Sequence, residues 1–385
     1  MKPKHEVAEI INIHRKAYVD KYSPALQVLK TLRAIQLCRT RYLGGNKSKC
    51  NCCGHQKISY NSCRNRHCPK CQATNRERWI LDRESELLPV PYYHIVFTLP
   101  HHLNPLALRY PKQVYSALFR AAWGTIRQFA GDPEYLGAKT GMTAILHSWG
   151  QQLSLHPHLH CIVPAGGITT KGKWRYVQQK AKPSSRKGKY LFPQKALGKV
   201  FRAIYMRELR KQMTIDQSVA KKLFEKDWVI DARQPFKTPE SVVEYLGRYT
   251  HRIAITNHRL LEVNRKTVKF KYKNYSTGRF SETMELQGVE FLRRFAQHIL
   301  PHGFVRIRHY GILASRNKTV DLNLAKSELG QAEWTKTKYN WEYIAMHKLN
   351  IIPDQCPKCK EGIMMIIQTY QPERGPPFHK AASHQ

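Results

Sequence analysis

Seven of the ten cysteines in this 385-residue chain fall between Cys38 and Cys71, and six of those fall between Cys50 and Cys71. So many thiols in so short a stretch restrict the local fold to one that cross-links or metal ions organise. No run of ~20 apolar residues is present to span a membrane, and the N-terminal Met-Lys-Pro-Lys-His-Glu-Val lacks the apolar core of a signal peptide. The expected setting is a reducing cytoplasm, where the cluster points to metal and not to disulfides. Cys50-Asn51-Cys52-Cys53 and Cys68-Pro69-Lys70-Cys71 are two C-x-x-C knuckles, fourteen residues apart. A tetrahedral zinc takes two such pairs, so Cys50, Cys53, Cys68 and Cys71 are the expected ligands of one structural Zn2+. Cys63, His67 and His55 leave a second ion open. Cys356-Pro357-Lys358-Cys359 is half a site without a nearby partner pair, and no zinc is expected there.

Charge sets the partner. The chain has 65 Lys and Arg against 27 Asp and Glu, a net +38. That excess calls for a polyanion, and nucleic acid fits better than a membrane surface because the cations run along the whole chain and do not gather on one amphipathic helix. Binding should weaken steeply with salt. Arg64 and Arg66, between the knuckles, are expected DNA contacts. Trp174 and Tyr176 are candidates for stacking on unpaired bases, within a basic loop expected at 170–190.

Apolar periodicity predicts helices within 5–43, over 76–88, 104–130 and 194–226, and from Pro239 onward. Strands are expected at 92–99, 142–149, 158–164, a hairpin at 259–275, and 304–310. After about 350 a lone Cys-Pro-Lys-Cys is followed by a tail rich in Pro, His and Gln, expected to be disordered. The expected organisation is α+β, a central antiparallel sheet flanked by helices behind an N-terminal helical and zinc-binding module. The boundaries are 1–90 for helices, zinc and DNA recognition, 91–265 for catalysis, and 266–385 for a basic β-rich region.

Two short motifs carry chemistry. In His156-Pro157-His158-Leu159-His160-Cys161-Ile162, alternation along a strand puts His158, His160 and Ile162 on one face. Proline cannot donate to a ladder, so Pro157 belongs at the strand start. Two rigid imidazoles suit a divalent cation that also binds a phosphate oxygen; a lone His-x-His is more readily a pair of core or surface histidines. A third ligand is needed, and among Gln151, Gln152 and Glu244 the expectation is Gln151. In Tyr245-Leu246-Gly247-Arg248-Tyr249, the phenols stand one helical turn apart, with Arg248 and Arg252 placed to hold phosphates. The pair alone would better suit a core, but its flanks are unusually polar and basic for one. Beside a metal and positive charge, a phenolate can attack phosphorus although its ordinary pKa is near 10.

Taken together, these residues resemble the HUH superfamily (His-hydrophobic-His, here His158-Leu159-His160), specifically the two-tyrosine rolling-circle transposases of the IS91 family of bacterial insertion sequences. The resemblance runs end to end. It covers Ser62-Cys63-Arg64-Asn65-Arg66-His67-Cys68-Pro69-Lys70-Cys71-Gln72 and Val96-Phe97-Thr98-Leu99-Pro100. It continues through Trp149-Gly150-Gln151, the histidine strand, Tyr245 to Ala254, and Arg306-Ile307-Arg308-His309-Tyr310-Gly311. It implies an HUH endonuclease-like sheet, catalytic Mg2+ or Mn2+, and a 5′-phosphotyrosine intermediate. It also implies transfer of single-stranded DNA from the hairpin or duplex ends of a mobile element, with Tyr245 and Tyr249 as alternating nucleophiles. The setting would be the bacterial cytoplasm, at the nucleoid. A plasmid replication initiator or conjugative relaxase would share the chemistry. A zinc-finger regulator without catalysis would explain the charge and the cysteines, but neither motif.

Overall fold

The computed structural model of the chain describes residues 3–177, 191–232, 236, 238–250, 253–274 and 282–373; side chains at 239, 240, 244, 246, 248 and 249 lie outside the description. The N-terminal part runs through helices α1 (Val7–Tyr22) and α2 (Leu26–Leu37), strands β1 (Gly45–Cys50) and β2 (Gln56–Tyr60), and helix α3 (Ala73–Glu84). Strand β3 (Tyr92–Thr98) is followed by α4 (Asn104–Arg109), α5 (Pro111–Gly131), β4 (Gly141–Trp149) and β5 (Leu155–Pro164). Then come β6 (Gly166–Ile168), β7 (Trp174–Tyr176), α6 (Gln194–Arg210), α7 (Gln217–Glu225), β8 (Ile230–Ala232) and α8 (Pro239–Thr250). The rest is β9 (Leu260–Val263), β10 (Thr267–Tyr272), β11 (Glu282–Gln287), α9 (Gly288–Ala296), β12 (Ile307–Gly311), α10 (Lys318–Glu328), α11 (Trp341–Lys348) and β13 (Met364–Tyr370).

The α+β class is as expected. The central sheet has the order β12-β4-β5-β3-β8, with every neighbouring pair antiparallel. Its two faces bury different residues. Leu159, Cys161 and Val163 of β5 and Tyr93, Ile95 and Phe97 of β3 pack against α5 and α6. Helix α5 can serve there because Val114, Leu118, Ala121, Ala122, Ile126 and Phe129 recur on one helical stripe. On the other face Ile145 and Ile162 join Tyr92, Val242 of α8 and Leu322 of α10. A second core unites α1, α2 and α9 with β9, β10 and β11.

Three expectations are corrected. The helix read over 104–130 is two helices, because Pro111 has no N–H to continue the α4 ladder and starts α5 instead. Strand β5 begins at Leu155, so Pro157 lies inside it. It is tolerated where the β4–β5 register shifts and just before the β3 ladder begins at His158. The residues after 265 do not stand apart: β12 pairs with β4 at the edge of the central sheet, and β13 pairs with β1 in the sheet β13-β1-β2. The expected basic loop at 170–190 is described only to residue 177, where β7 pairs with β6; the expected disordered tail lies outside the described residues from 374 onward.

Candidate active site and metal centres

His158 of β5 stands directly opposite His147 of β4 and Thr98 of β3. Opposed residues of an antiparallel pair share a face, so His147 points the same way as His158 and His160. The ring nitrogens of His147, His158 and His160 lie within 4.8 Å of one another. The candidate third donor beside them is therefore His147, where the sequence pointed to Gln151. Gln151 sits in the turn after β4, and its carbonyl accepts a hydrogen bond from the Arg259 guanidinium. The Glu244 side chain lies outside the described ones. The one signal for His147 in the sequence is a histidine that follows the apolar run Ala144-Ile145-Leu146 of a strand. Only the strand register places it beside the other two.

Hydrogen bonding orients the imidazoles. His158 Nδ1–H donates to its neighbour's carbonyl, His156 O, at 2.7 Å, which leaves Nε2 with a lone pair. His160 Nδ1 pairs with His94 Nε2 at 2.9 Å, and the two rings stack with centroids 5.1 Å apart. His158 Nε2 and His160 Nε2 then face each other at 3.2 Å. Two imidazoles in adjacent positions around a divalent cation, with bonds of about 2.1 Å at a right angle, place their nitrogens about 3 Å apart. The donor set fits such an ion. Burial pushes the His158 imidazole down to about 4, so it is neutral and able to ligate at neutral pH.

Helix α8 brings Tyr245 to the same place. The Tyr245 ring meets His94 edge-on with centroids 5.1 Å apart and packs on Phe236 at 5.0 Å. His94 thus touches both the phenol and a candidate ligand. His94 was missed in sequence because it lies in β3, far from either motif. Gly247 explains how α8 comes so near. A Cβ there would meet the end of the Ile80 side chain of α3, so a side chain at 247 would make Ile80 shift while the bare backbone lets the two helices pack as they do. Tyr249 follows one turn later on the helix backbone; its side chain and that of Arg248 lie outside the described ones, and Arg252 lies outside the described residues.

The cysteines assort differently from the expectation. One quartet is Cys38, Cys63, Cys68 and Cys71, and a second is Cys50, Cys53, Cys356 and Cys359. The expected set of Cys50, Cys53, Cys68 and Cys71 is thus divided between two places. Cys38, at the end of α2, and Cys63 complete the Cys68–Cys71 knuckle, with Sγ–Sγ separations of 3.4 Å (Cys38–Cys71) and 3.7 Å (Cys63–Cys71). Sulfurs at the corners of a tetrahedron with Zn–S bonds of about 2.3 Å would be about 3.8 Å apart. Hydrogen bonds from the Cys38, Cys63 and Cys68 sulfurs hold the Cys71 thiol well below the ordinary thiol range.

The spare residues also find places. Buried His67 accepts a hydrogen bond from the Leu300 amide at Nε2, at 3.4 Å, and so joins neither quartet. Arg66 gives its guanidinium to the carbonyls of Phe304 and Pro301, the latter at 2.9 Å. It ties the cysteine-rich module to the segment before β12. Arg64 is exposed, in a left-handed backbone conformation with φ 52°. Of the candidate stacking residues, Trp174 packs at the edge of the core around Ile162, and Tyr176 is exposed.

An antiparallel sheet bearing three histidines on one face, a helical tyrosine beside them and a cysteine-rich module in front define a DNA-processing class of protein. Two family models match the chain. One, described as "Transposase zinc-binding domain", covers residues 10–99, and the other, described as "Putative transposase", covers residues 141–320. The chain is 38% identical to the "Putative transposase y4qJ" of Sinorhizobium fredii, over 97% of each sequence. It is 29% identical to the "Transposase for insertion sequence element IS801" of Pseudomonas savastanoi pv. phaseolicola, over 86% of this chain and 81% of that one. A conjugative relaxase, TrwC, in complex with mutant OriT DNA, aligns over 36% of this chain and 48% of its own, with 17% identity and a TM-score of 0.23. The chain belongs to the IS91 family of transposases, as its motifs indicated. Among the described residues no helix is long and apolar enough to cross a membrane.

Proposed function

We propose that this transposase nicks and joins single-stranded DNA through a 5′-phosphotyrosine during rolling-circle transposition, with Tyr245 as a nucleophile. One observation carries the reading: Tyr245 packs on His94, and His94 is hydrogen-bonded to His160 in the three-histidine cluster. His147, His158 and His160 would hold a divalent cation, which would polarise the scissile phosphate and offset the charge that builds on it. Imidazole donors favour Mn2+ over the harder Mg2+.

The Tyr245 phenol oxygen attacks phosphorus and loses its proton. The bond from phosphorus to the 3′ oxygen breaks, and that oxygen leaves as a free 3′-hydroxyl after taking up a proton. The phosphate stays on the 5′ end, esterified to the tyrosine. One phosphodiester replaces another, so rejoining by attack of a 3′-hydroxyl needs no ATP. Tyr249 would supply the second cut, with Arg248 and Arg252 on the phosphates and Arg64 on the hairpin or duplex end. Zn2+ in the module would sit among Cys38, Cys63, Cys68 and Cys71.

The test is incubation with end-labelled single-stranded DNA from an element terminus, with Mn2+, followed by denaturing electrophoresis and mass spectrometry of the adduct peptide. The expected result is a covalent complex on Tyr245 that Y245F abolishes. A band shift without any complex that survives denaturation would mean a binding protein, and would overturn the proposal.

A further inference from the structure

We infer that Cys50, Cys53, Cys356 and Cys359 form a second structural zinc site, which clasps the C-terminal segment onto the N-terminal module. Both family models leave the C-terminal half of this quartet uncovered, since they match residues 10–99 and 141–320.

The geometry is that of two knuckles facing each other. Cys50 Sγ lies 3.7 Å from Cys359 Sγ, and Cys53 Sγ lies 3.6 Å from Cys356 Sγ. All four sulfurs lie within 4.8 Å of one another. These separations match the edge of about 3.8 Å for a tetrahedral zinc–thiolate centre. Backbone amides already point at the sulfurs, as they do where thiolates are held: Cys52 N and Cys53 N approach Cys50 Sγ at 3.4 and 3.5 Å, and Gly362 N approaches Cys359 Sγ at 3.3 Å.

The chain is shaped to bring the halves together. Strand β13 pairs with β1 from Gly45–Tyr370 to Cys50–Met364, which sets the two knuckles side by side at the end of the ladder. Asn51 then locks them, donating its amide to Ile363 O at 3.1 Å and accepting the Ile363 amide at its side-chain oxygen at 2.8 Å. Gly362 is required at the contact. A Cβ there would lie 2.4 Å from Cys50 Sγ and 2.7 Å from Cys52 Cβ. The apolar content of the clasp is small. Ile363, Met365, Ile366 and Ile367 are all more than half exposed, so side-chain burial gives little to hold this segment in place. A metal supplies what the core does not. Binding converts up to four thiols to thiolates and releases their protons, giving a Zn(Cys)4 centre of net charge −2.

The test is zinc stoichiometry of the full chain, by native mass spectrometry and elemental analysis, in wild type and in C356S/C359S. The variant should hold one zinc fewer than wild type. An equal zinc content in both would overturn the inference. Cysteine alkylation with peptide mapping keeps the question open to refutation if the variant misfolds. In zinc-loaded wild type, Cys50, Cys53, Cys356 and Cys359 should resist iodoacetamide together, and a chelator should expose them together. Exposed Cys52, which belongs to neither quartet, should react throughout and serves as the internal control. Labelling of Cys356 and Cys359 at full zinc occupancy would also overturn the inference. Neither readout depends on the tyrosine chemistry.

Discussion

At His147 the difference between a core histidine and a ligand comes down to a cross-strand neighbour. The residue is 3% exposed, stacks on Trp149 with centroids 4.6 Å apart, and shares its face with His158 and His160. As a ligand, its replacement in H147A should raise the Mn2+ concentration needed and lower adduct formation, whereas a structural histidine would affect stability alone. His94 is a positioning residue, because it acts through His160. H94A should raise the Mn2+ concentration needed for half-maximal adduct formation by about 10–100-fold. H94Q, whose side-chain carbonyl oxygen can accept from His160 Nδ1–H, should recover part of that loss. A single-turnover titration with Mn2+ separates the cases. Failure of H94A at saturating Mn2+, with the fold intact, would show that its role is not ligand orientation. The pairing of His158 and His160 on one face was legible in the sequence, since strand alternation needs only neighbours. His147 and His94 were not, because their relation to the motif is a matter of register between strands.

Helix α8 is placed by what it lacks. Glycine within a helix ordinarily costs ~1 kcal/mol relative to alanine, yet Gly247 stands between the two tyrosines, where a side chain would have to displace Ile80 of α3. A leucine there would drive the helices apart, and G247L is expected to lose about 1–3 kcal/mol of stability and to impair adduct formation. Truncating the opposing residue should relieve the strain, so I80A/G247L should be more stable and more active than G247L alone. Chemical denaturation together with the adduct assay measures both. Independent, additive losses would mean that the contact does not set the position of α8. The helix itself was readable from Pro239 at its first position and the spacing of the tyrosines. Its partner was not, because α3 belongs to a module more than 150 residues earlier in the chain.

Across the whole molecule, neutral histidines sit where separate parts of the chain meet. His67 joins the cysteine-rich module to Leu300, His309 of β12 bonds Thr143 of β4 at 3.0 Å and Arg83 of α3 at 3.1 Å, and His298 bonds Ser148 of β4 at 3.3 Å. Burial, with nearby cations helping at His67 and His309, pushes these imidazoles down to about 3, 3 and 4 for His67, His309 and His298. Their folded values lie below the unfolded value of about 6.5. Between the two the unfolded chain binds more protons, so stability is full above about pH 6.5 and falls as pH drops toward 3–4. Each group contributes a slope of at most about 1.4 kcal/mol per pH unit. Denaturation midpoints from pH 7.5 to 5 should therefore fall more steeply for wild type than for H67Q, which keeps an acceptor for the Leu300 amide. Parallel curves would remove His67 from this linkage.

What the sequence determined by itself was the chemistry available and the local elements that carry it: a basic chain, zinc-binding knuckles, a histidine strand, a tyrosine helix and the family they define. Those depend on residue type and on short-range periodicity. The tertiary structure decided which of these groups share a site. Each knuckle found its partner thiols elsewhere, Cys68 and Cys71 with Cys38 and Cys63, and Cys50 and Cys53 with Cys356 and Cys359; the histidines gained His147. A ligand set needs donors a few ångströms apart in space, and long-range strand pairing brings residues such as Cys50 and Cys359 together whatever their distance along the chain.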